Sequence, residues 1–275
     1  MMSNLMMRRR ALLIVVGLIA LFALSACTML GGNEAQIDIP EIVVAASEAG
    51  LSVPESVPSG IVAFDLSAAT EALTARLNDG VTLDQLNEAL GQPEPFAALS
   101  LVSLLGNASN TTDGRVILDL KPGQYVMINS SADGPSVVYP FMAGDPSGAA
   151  APTADVTVDL VDFNFAIPSE IESGPKVWQI NNKGSQWHEM GIVKLGEGVT
   201  VDDVVAMLTS EEPTEGPPPF EEVAFWAPNS PGETAYVTWD LPPGEYTVIC
   251  FLPDIAGDMS AHAAHGMVAN LTVTE

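Results

Sequence analysis

Residues 240–250 read DLPPGEYTVIC, and they match residues 119–129, which read DLKPGQYVMIN. Six of the eleven positions are identical, and a second matching pair, GVTLD at 80–84 and GVTVD at 198–202, lies upstream in the same order. Two matches in the same order, at nearly the same separation, indicate repeated structural units. We therefore predict a tandem duplication, with chance similarity between turn-rich strands as the alternative.

The repeated stretch also indicates the fold class. The pattern Leu-x-Pro-Gly-x-Tyr ends at Tyr125 and again at Tyr246. It resembles the tyrosine corner of Greek-key β-sandwiches, in which the hydroxyl group ties a strand to its preceding turn. Alternation of apolar and polar residues predicts further strands, and a slip of phase within 155–165 predicts a β-bulge. The strands predicted in the second copy are 155–165, 176–181, 189–195, 235–239, 246–251 and 267–273.

One short helix is predicted in each copy. Thr82 and Thr200 are suitable N-caps, because a threonine hydroxyl accepts a hydrogen bond from the backbone of the first helical turn. Gln85 and Asp203 stand at the third helical position, where their side chains complete a capping-box pattern. The predicted helices span residues 83–90 and 201–208.

The composition is acidic and globular. The 275 residues suffice for two domains with their own cores. The chain has 35 acidic and 9 basic residues, hence a formal net charge of −26, which becomes −29 without Arg8–Arg10. Such a surface repels nucleic acid and steers a basic partner toward it, or it serves only solubility in a saline habitat. With 47% hydrophobic and 16% charged residues, the chain is not a disordered acidic tail.

The N-terminal residues have the features of an export signal. A basic start at Arg8–Arg10 precedes an apolar run that is too short for a comfortable membrane span. The next residues, Leu-Ser-Ala-Cys27, resemble the bacterial lipobox, in which the cysteine becomes the lipidated first residue of the mature protein. We therefore predict an extracytoplasmic, lipid-anchored protein, periplasmic or on the cell surface. Lipidation of Cys27 leaves Cys250 without a disulfide partner.

These features divide the chain into five predicted parts. Small residues and prolines at GDPSGAAAPT mark a linker between the copies, and the acidic, proline-rich segment 211–222 is predicted to be a surface loop. The parts are a signal peptide at 1–26, a tether at 27–36, the first copy at 37–144, the linker at 145–153 and the second copy at 154–275.

A set of metal-ligand residue types is concentrated in the second copy. Cys250 lies at the end of a predicted strand, His262 follows it after eleven residues and Met267 after four more, and His188 lies upstream. A thiolate, two imidazoles and a weak axial thioether form the ligand set of a blue-copper electron-transfer site. Zinc on the same ligands is the alternative metal. A buried unpaired cysteine with scattered histidines is the alternative without a metal.

The same residues give the second copy a resemblance to the cupredoxins, the superfamily of plastocyanin and azurin. The spacing from His262 to Met267 matches that of plastocyanin, and the Asn-rich turn 181–187 before His188 is similar to the family's first-ligand motif. The resemblance covers about residues 156–273 and implies one type 1 copper. The implied metal ligands are His188, Cys250, His262 and Met267. Two departures are the long loop between Cys250 and His262 and the presence of Glu189, where many cupredoxins have asparagine.

His265 is the second choice for the ligand assigned to His262. It lies only two residues before Met267, so we expect it near the site instead, either at the surface or beside the ligands without binding the metal. The first copy has Asn129 in place of the cysteine and no histidine, so it is expected to keep the fold without the metal. The predicted fold class is all-β, with two tandem cupredoxin-like Greek-key β-sandwiches, each with a short inserted helix.

Three functions are weighed from these residues. The first is a membrane-anchored type 1 copper protein that carries single electrons between redox partners, whose docking surface could be basic. The second is a multicopper or nitrite-reducing enzyme, but only one histidine remains after His188 and His262, so we expect no enzyme. The third is a module that sequesters copper or binds proteins without redox cycling. We expect a monomer that binds no nucleic acid.

Overall fold

The computed structural model describes residues 37–47, 50–69, 72–92, 96–129, 136–210 and 216–275. The predicted signal peptide, Cys27 and the tether lie outside these residues. Within the described ranges, no helix is both long and apolar enough to cross a membrane.

Strands form most of the described chain, together with three short helices and a 3₁₀ turn. The strands are β1 (Glu41–Val43), β2 (Ala45–Ser47), β3 (Gly50–Ser52), β4 (Ser56–Asp65), β5 (Ala72–Leu77), β6 (Val102–Gly106), β7 (Ala108–Ser109), β8 (Arg115–Leu120), β9 (Gly123–Asn129), β10 (Val137–Pro146), β11 (Val156–Val161), β12 (Asn164–Ala166), β13 (Glu170–Glu172), β14 (Gly174–Asn182), β15 (His188–Leu195), β16 (Phe220–Asn229), β17 (Thr234–Leu241), β18 (Gly244–Ile249) and β19 (Val268–Thr274). The helices are α1 (Leu83–Leu90), α2 (Phe96–Leu99) and α3 (Val201–Leu208), and the 3₁₀ turn spans His262–His265.

The main strands form two layers that run through both copies. In the first layer the order is β1-β4-β8-β17-β14-β11-β12. The second layer consists of β4-β10-β9-β5-β6 in the first copy and β16-β15-β18-β19-β13 in the second. The start of β4 lies in the second layer and its end in the first. The chain is thus an all-β sandwich structure, as predicted.

Pairing between strands joins the two copies along both layers. Strand β8 pairs with β17 in the first layer, and β6 and β7 pair with β16 in the second. The backbone N–H of Leu104 donates to the hydroxyl group of Ser230, and the Trp239 indole donates to the carbonyl oxygen of Ser109. Residues 38–275 accordingly form one compact unit. The predicted boundaries at 144 and 154, and a common origin of the copies, stay predictions.

The junction has a twofold character. By the sequence match, β8 and β17 are equivalent strands of the two copies, and they pair antiparallel. Val116 lies opposite Val237, its own equivalent at an offset of 121 residues, while Ile117 lies opposite Tyr236. Each copy therefore offers the same strand to the other.

The local sequence signals are confirmed at both helices and both corners. Thr82 with Gln85 and Thr200 with Asp203 form complete capping boxes at the start of α1 and α3. The hydroxyl group of Tyr125 donates to the carbonyl oxygen of Lys121 at 2.9 Å, and that of Tyr246 donates to Pro242 at 2.6 Å. These two bonds are tyrosine corners.

Two local predictions are wrong. The segment 155–165 is not one bulged strand, because β11 and β12 pair antiparallel as a tight hairpin with Asp162 and Phe163 at its tip. The predicted loop 211–222 ends too late, since Phe220 already begins β16 opposite Leu195. Leu160 pairs with Phe165 and Leu195 pairs with Phe220, and the alternation of apolar residues within one segment does not show either cross-strand pairing. Residues 211–215 lie outside the described chain.

A close backbone approach at Gly106 supports the junction. Gly106 has φ +82, and a Cβ atom there would lie 2.4 Å from a ring carbon of Trp226, which is fully buried. Gly80 has the same φ of +82 but has no atom within 4 Å of the corresponding Cβ position. Both positions favour glycine because of their left-handed backbone, but only at Gly106 does the packing of a neighbouring side chain also require it.

We predict that Gly106→Ala destabilises the protein more than Gly80→Ala. Both variants carry the cost of a left-handed alanine, about 1–2 kcal/mol, but only Gly106→Ala also displaces Trp226, which adds about 1–3 kcal/mol. Urea unfolding, followed by tryptophan fluorescence and circular dichroism, measures the difference. Equal losses of the free energy of unfolding would show that the Gly106–Trp226 contact does not stabilise the junction.

Candidate metal centre

Cys250 follows the end of β18, which lies between β15 and β19. Its side chain is fully buried and forms no disulfide. The Cys250 backbone N–H donates to the carbonyl oxygen of Met267, and its own carbonyl oxygen accepts from the N–H of Ala263. Burial raises the pKa of the thiol to about 12, although backbone N–H groups of Glu189 and Leu252 partly oppose this shift. Without a metal, the thiol is therefore protonated at neutral pH.

The first residue of β15 is His188, which lies opposite Asn229 of β16. The imidazole is fully buried. Its Nδ1 atom is 3.2 Å from Nδ1 of His262, and its Nε2 atom is 2.8 Å from Oδ1 of Asp162. One ring nitrogen thus faces the second histidine and the other faces a carboxylate.

The long loop from 251 to 261 returns His262 to the thiol. The backbone N–H of Asp254 donates to Ser260, and that of His262 donates to Leu252. These two bonds hold the two ends of the loop together. Nδ1 of His262 then lies 3.4 Å from Sγ of Cys250. The length of the loop, which made the position of His262 hardest to predict, does not displace the imidazole from the site.

Met267 is tied to both neighbouring ligands through its backbone. Its N–H donates to the carbonyl oxygen of His262, and its carbonyl oxygen accepts from Cys250. Gly266 precedes it with φ +101, which favours glycine. The Met267 side chain is fully buried within the core cluster that also contains Cys250. Three of the four predicted ligand residues, Cys250, His262 and Met267, are therefore linked by backbone hydrogen bonds.

The separations of the donor atoms fit a small metal ion. Nitrogen and sulfur donors at about 2.0–2.3 Å from a metal, with angles of about 100–120°, lie roughly 3.2–3.8 Å apart. The observed separations are 3.2 Å between the two imidazoles and 3.4 Å between His262 and Cys250. The ligand atoms of His188, Cys250 and His262 all lie within 4.8 Å of one another, and all three residues are buried.

The site is a candidate type 1 copper centre. Two nitrogens and one sulfur converge, and a buried methionine is adjacent in the chain. This is the donor set of blue-copper sites.

Burial sets the protonation of the two imidazoles. It lowers the pKa of His188, with Asp162 opposing, and it lowers the pKa of His262 to about 4, with the nearby His188 adding to the shift. Both rings are therefore neutral near pH 7, as metal ligation requires. Burial opposes ionisation of Asp162, but hydrogen bonds from Ser185 and His188 outweigh it and lower the pKa of Asp162 to about 2.

His265, the second choice for the ligand, lies in a different cluster. Its Nε2 atom is 3.0 Å from Oδ1 of Asp258 and 3.7 Å from Oδ2 of Asp254. The ring of Phe163 contacts His265 at 4.8 Å and His262 at 5.0 Å between centroids. The geometry thus favours His262 over His265 beside Cys250.

Sequence reasoning missed the residues at the tip of the β11–β12 hairpin. Asp162 contacts His188 and Phe163 contacts His262. The slip of phase after residue 160 was the available signal, since it marks the turn that brings both residues to the site. Of the predicted Asn-rich turn 181–187, the two asparagines lie at the end of β14, and Asn182 donates to the carbonyl oxygens of Gln186 and Asn229.

The first copy borders the site although it has none of the ligands. Trp187, next to His188, packs against the core cluster of the first copy that includes Leu86 and Leu104. A small cavity of about 20 Å³ is lined by Leu99 of the first copy and by Leu252 and Ile255 of the loop. Asn129, which the sequence match aligns with Cys250, is the last residue of β9, and Cys250 is the first residue after β18.

No family model and no curated protein matches the sequence. Solved structures similar to this chain include auracyanin B, at 24% identity over 46% of this chain and 94% of that one, with a TM-score of 0.31. Auracyanin A from Chloroflexus aurantiacus has 20% identity over 43% of this chain and 98% of that one, with a TM-score of 0.30. A multicopper oxidase from Pediococcus acidilactici has 12% identity over 86% of this chain and 59% of that one, with a TM-score of 0.25.

Glu189 is a buried carboxyl group beside the site. Its Oε1 atom accepts a hydrogen bond from the backbone N–H of Phe251 at 3.2 Å. Burial raises its pKa from 4.5 to about 7, against the lowering effect of that hydrogen bond. The native state therefore holds a proton that the unfolded state releases between pH 4.5 and 7.

We predict that Glu189→Gln removes a pH-dependent loss of stability in the metal-free protein. A raised native pKa means that stability is lost as pH rises, by about 3 kcal/mol for such a shift. Urea unfolding at several pH values, with chelator present, should therefore show the variant gaining on the wild type from pH 4.5 to 7. The comparison with the variant is needed because the buried imidazoles give a slope of opposite sign. Parallel curves would contradict a raised pKa of Glu189.

Proposed function

We propose that this chain is an extracytoplasmic, membrane-anchored type 1 copper protein that carries single electrons between redox partners. The observation that carries the proposal is the convergence of three buried donors on His188, Cys250 and His262. Met267, buried and hydrogen-bonded through its backbone to two of them, is the proposed axial ligand.

Each ligand residue has a defined part. Copper bound at this site supplies a one-electron couple between Cu(II) and Cu(I). Cys250 must lose its proton when metal binds, and the neutral imidazoles of His188 and His262 need not. Backbone hydrogen bonds at Cys250, His262 and Met267 keep the donors in place. A site that is fixed in this way changes little between oxidation states, which favours fast electron exchange.

The enclosure of the site supports a carrier over an enzyme. His188 and Cys250 are 0% exposed and His262 is 1% exposed. An enzyme would need an open coordination position or a second group of copper ligands. The chain has three histidines, and the third, His265, is paired with Asp258. Among the described residues, the second cluster of candidate metal ligands contains only that histidine and two aspartates.

Location and partners follow as part of the same proposal. The Leu-Ser-Ala-Cys27 motif supports export and lipid attachment, and a single buried thiol at Cys250 is compatible with an oxidising compartment when a metal holds it. The excess of 35 acidic over 9 basic residues supports a redox partner with a basic docking surface. We propose a monomer that does not bind nucleic acid.

We predict that the purified mature protein binds one equivalent of Cu(II) and develops an intense visible thiolate-to-copper charge-transfer band. Ascorbate should bleach the band, and reoxidation should restore it. Cys250→Ser should abolish the band, because no thiolate remains. His265→Ala is the matched control that should retain it, because His265 lies outside the donor cluster.

Each other outcome has a defined meaning. Absence of the band with no copper bound would refute the carrier. Copper binding without reversible reduction would indicate the sequestering alternative. Loss of the band in His265→Ala, with retention in His262→Ala, would show that the wrong histidine had been assigned.

A further inference from the structure

The tip of the β11–β12 hairpin contacts the candidate metal centre from outside the ligand set. Asp162 lies in the turn between the two strands. Its Oδ1 atom is 2.8 Å from Nε2 of His188, whose ring is fully buried. This nitrogen is the one that does not face His262.

Asp162 is itself held from the opposite side. The backbone N–H of Ser185 donates to Oδ1 at 3.0 Å and to Oδ2 at 2.9 Å, and the Ser185 hydroxyl group donates to Oδ2 at 2.5 Å. Ser185 belongs to the turn that leads to His188. The carboxylate therefore joins the hairpin tip, the turn and the imidazole.

The hydrogen-bond chemistry selects one tautomer of His188. An aspartate is ionised at neutral pH and can only accept hydrogen bonds. Nε2 of His188 must therefore be the donor, which leaves Nδ1 of the neutral ring with a free lone pair. Nδ1 of His188, which carries this lone pair, lies 3.2 Å from Nδ1 of His262. The hydrogen bond with Asp162 thus leaves the nitrogen that faces His262 free to bind a metal.

The backbone at Gly184 makes room for this contact. A Cβ atom at Gly184 would collide with Oδ1 of Asp162 and would lie 2.5 Å from Nε2 of His188. Gly184 has no positive φ that would by itself require glycine. Close approach of the backbone to the Asp162–His188 pair is therefore what demands glycine at this position.

We propose that Asp162 is a positioning residue of the metal centre, which fixes His188 as the Nε2–H tautomer with Nδ1 aimed at the other donors. This inference deepens the proposed copper function and rests on it for its metal-binding consequences. Carboxylate partners of metal-bound imidazoles orient the ring, and their loss typically costs 10–100-fold in metal affinity. The negative charge of Asp162 also favours Cu(II) over Cu(I), which lowers the reduction potential.

The first test uses the metal-free protein, so that it is independent of copper binding. Long-range ¹⁵N–¹H NMR of the His188 ring reports which nitrogen carries the proton. We expect the Nε2–H tautomer in the wild type and a mixture in Asp162→Ala. A wild-type ring protonated at Nδ1, or an unchanged ring in Asp162→Ala, would overturn the proposal whatever the protein does with copper.

The second test measures copper affinity and reduction potential. Asp162→Asn cannot satisfy both sides, because its NH₂ group must face either His188 or the backbone N–H of Ser185. We expect Asp162→Asn and Asp162→Ala to bind Cu(II) 10–100-fold more weakly and to have raised potentials. A tenfold greater loss for Cu(II) than for Cu(I) corresponds to about 59 mV. Asp145→Asn removes one exposed charge near the end of β10 and should change neither quantity.

A third variant leaves both partners chemically intact. Gly184→Ala should separate Asp162 from His188 and reproduce the tautomer mixture of Asp162→Ala. Gly144→Ala is the control that should not, because Gly144 has no atom within 4 Å of the added Cβ and no left-handed φ. In one outcome, copper binds to the wild type while the Asp162 variants keep the copper affinity and reduction potential of the Asp145→Asn control. That result would show that Asp162 does not position the ligand. If the wild type binds no copper but shows the expected tautomer shift, the positioning role stands and the copper function fails.

Discussion

The backbone hydrogen bonds that surround Cys250 are the constraint on which the site depends. The N–H of Cys250 is bonded to Met267, its carbonyl oxygen to Ala263, and the N–H of Met267 to His262. These bonds belong to the main chain, so they hold the positions of the ligands without using the donor atoms. The thiol and the imidazoles remain available for a metal, and the loop between Cys250 and His262 can be long without loosening the site.

The two copies divide the work of this scaffold. The second copy supplies every candidate ligand, whereas the first supplies strand partners for β16 and β17 and an apolar neighbour for Trp187. A polar ion pair between Lys121 and the buried Glu233 also crosses the junction. The first copy is therefore packed against the second within one compact unit.

Sequence reasoning succeeded where the partners lie close together in the chain. The capping boxes at Thr82 and Thr200 span three residues, and the tyrosine corners span four. It failed where partners are distant: Asp162 contacts His188 across 26 residues, and Leu104 contacts Ser230 across 126. The candidate ligands were found because cysteine and histidine are rare in this chain, whereas one aspartate among 35 acidic residues carries no such signal.

The pairing of Val116 with Val237 has a consequence for how a fragment of this chain would behave. Strand β8 pairs antiparallel with β17, the strand that the predicted duplication makes its equivalent, so under that prediction the junction has the form of a symmetric dimer interface within one polypeptide. A fragment limited to the second copy would leave β16 and β17 as unprotected sheet edges in both layers. Such edges pair readily with other chains, so the fragment would tend to self-associate through the strands that the first copy now covers.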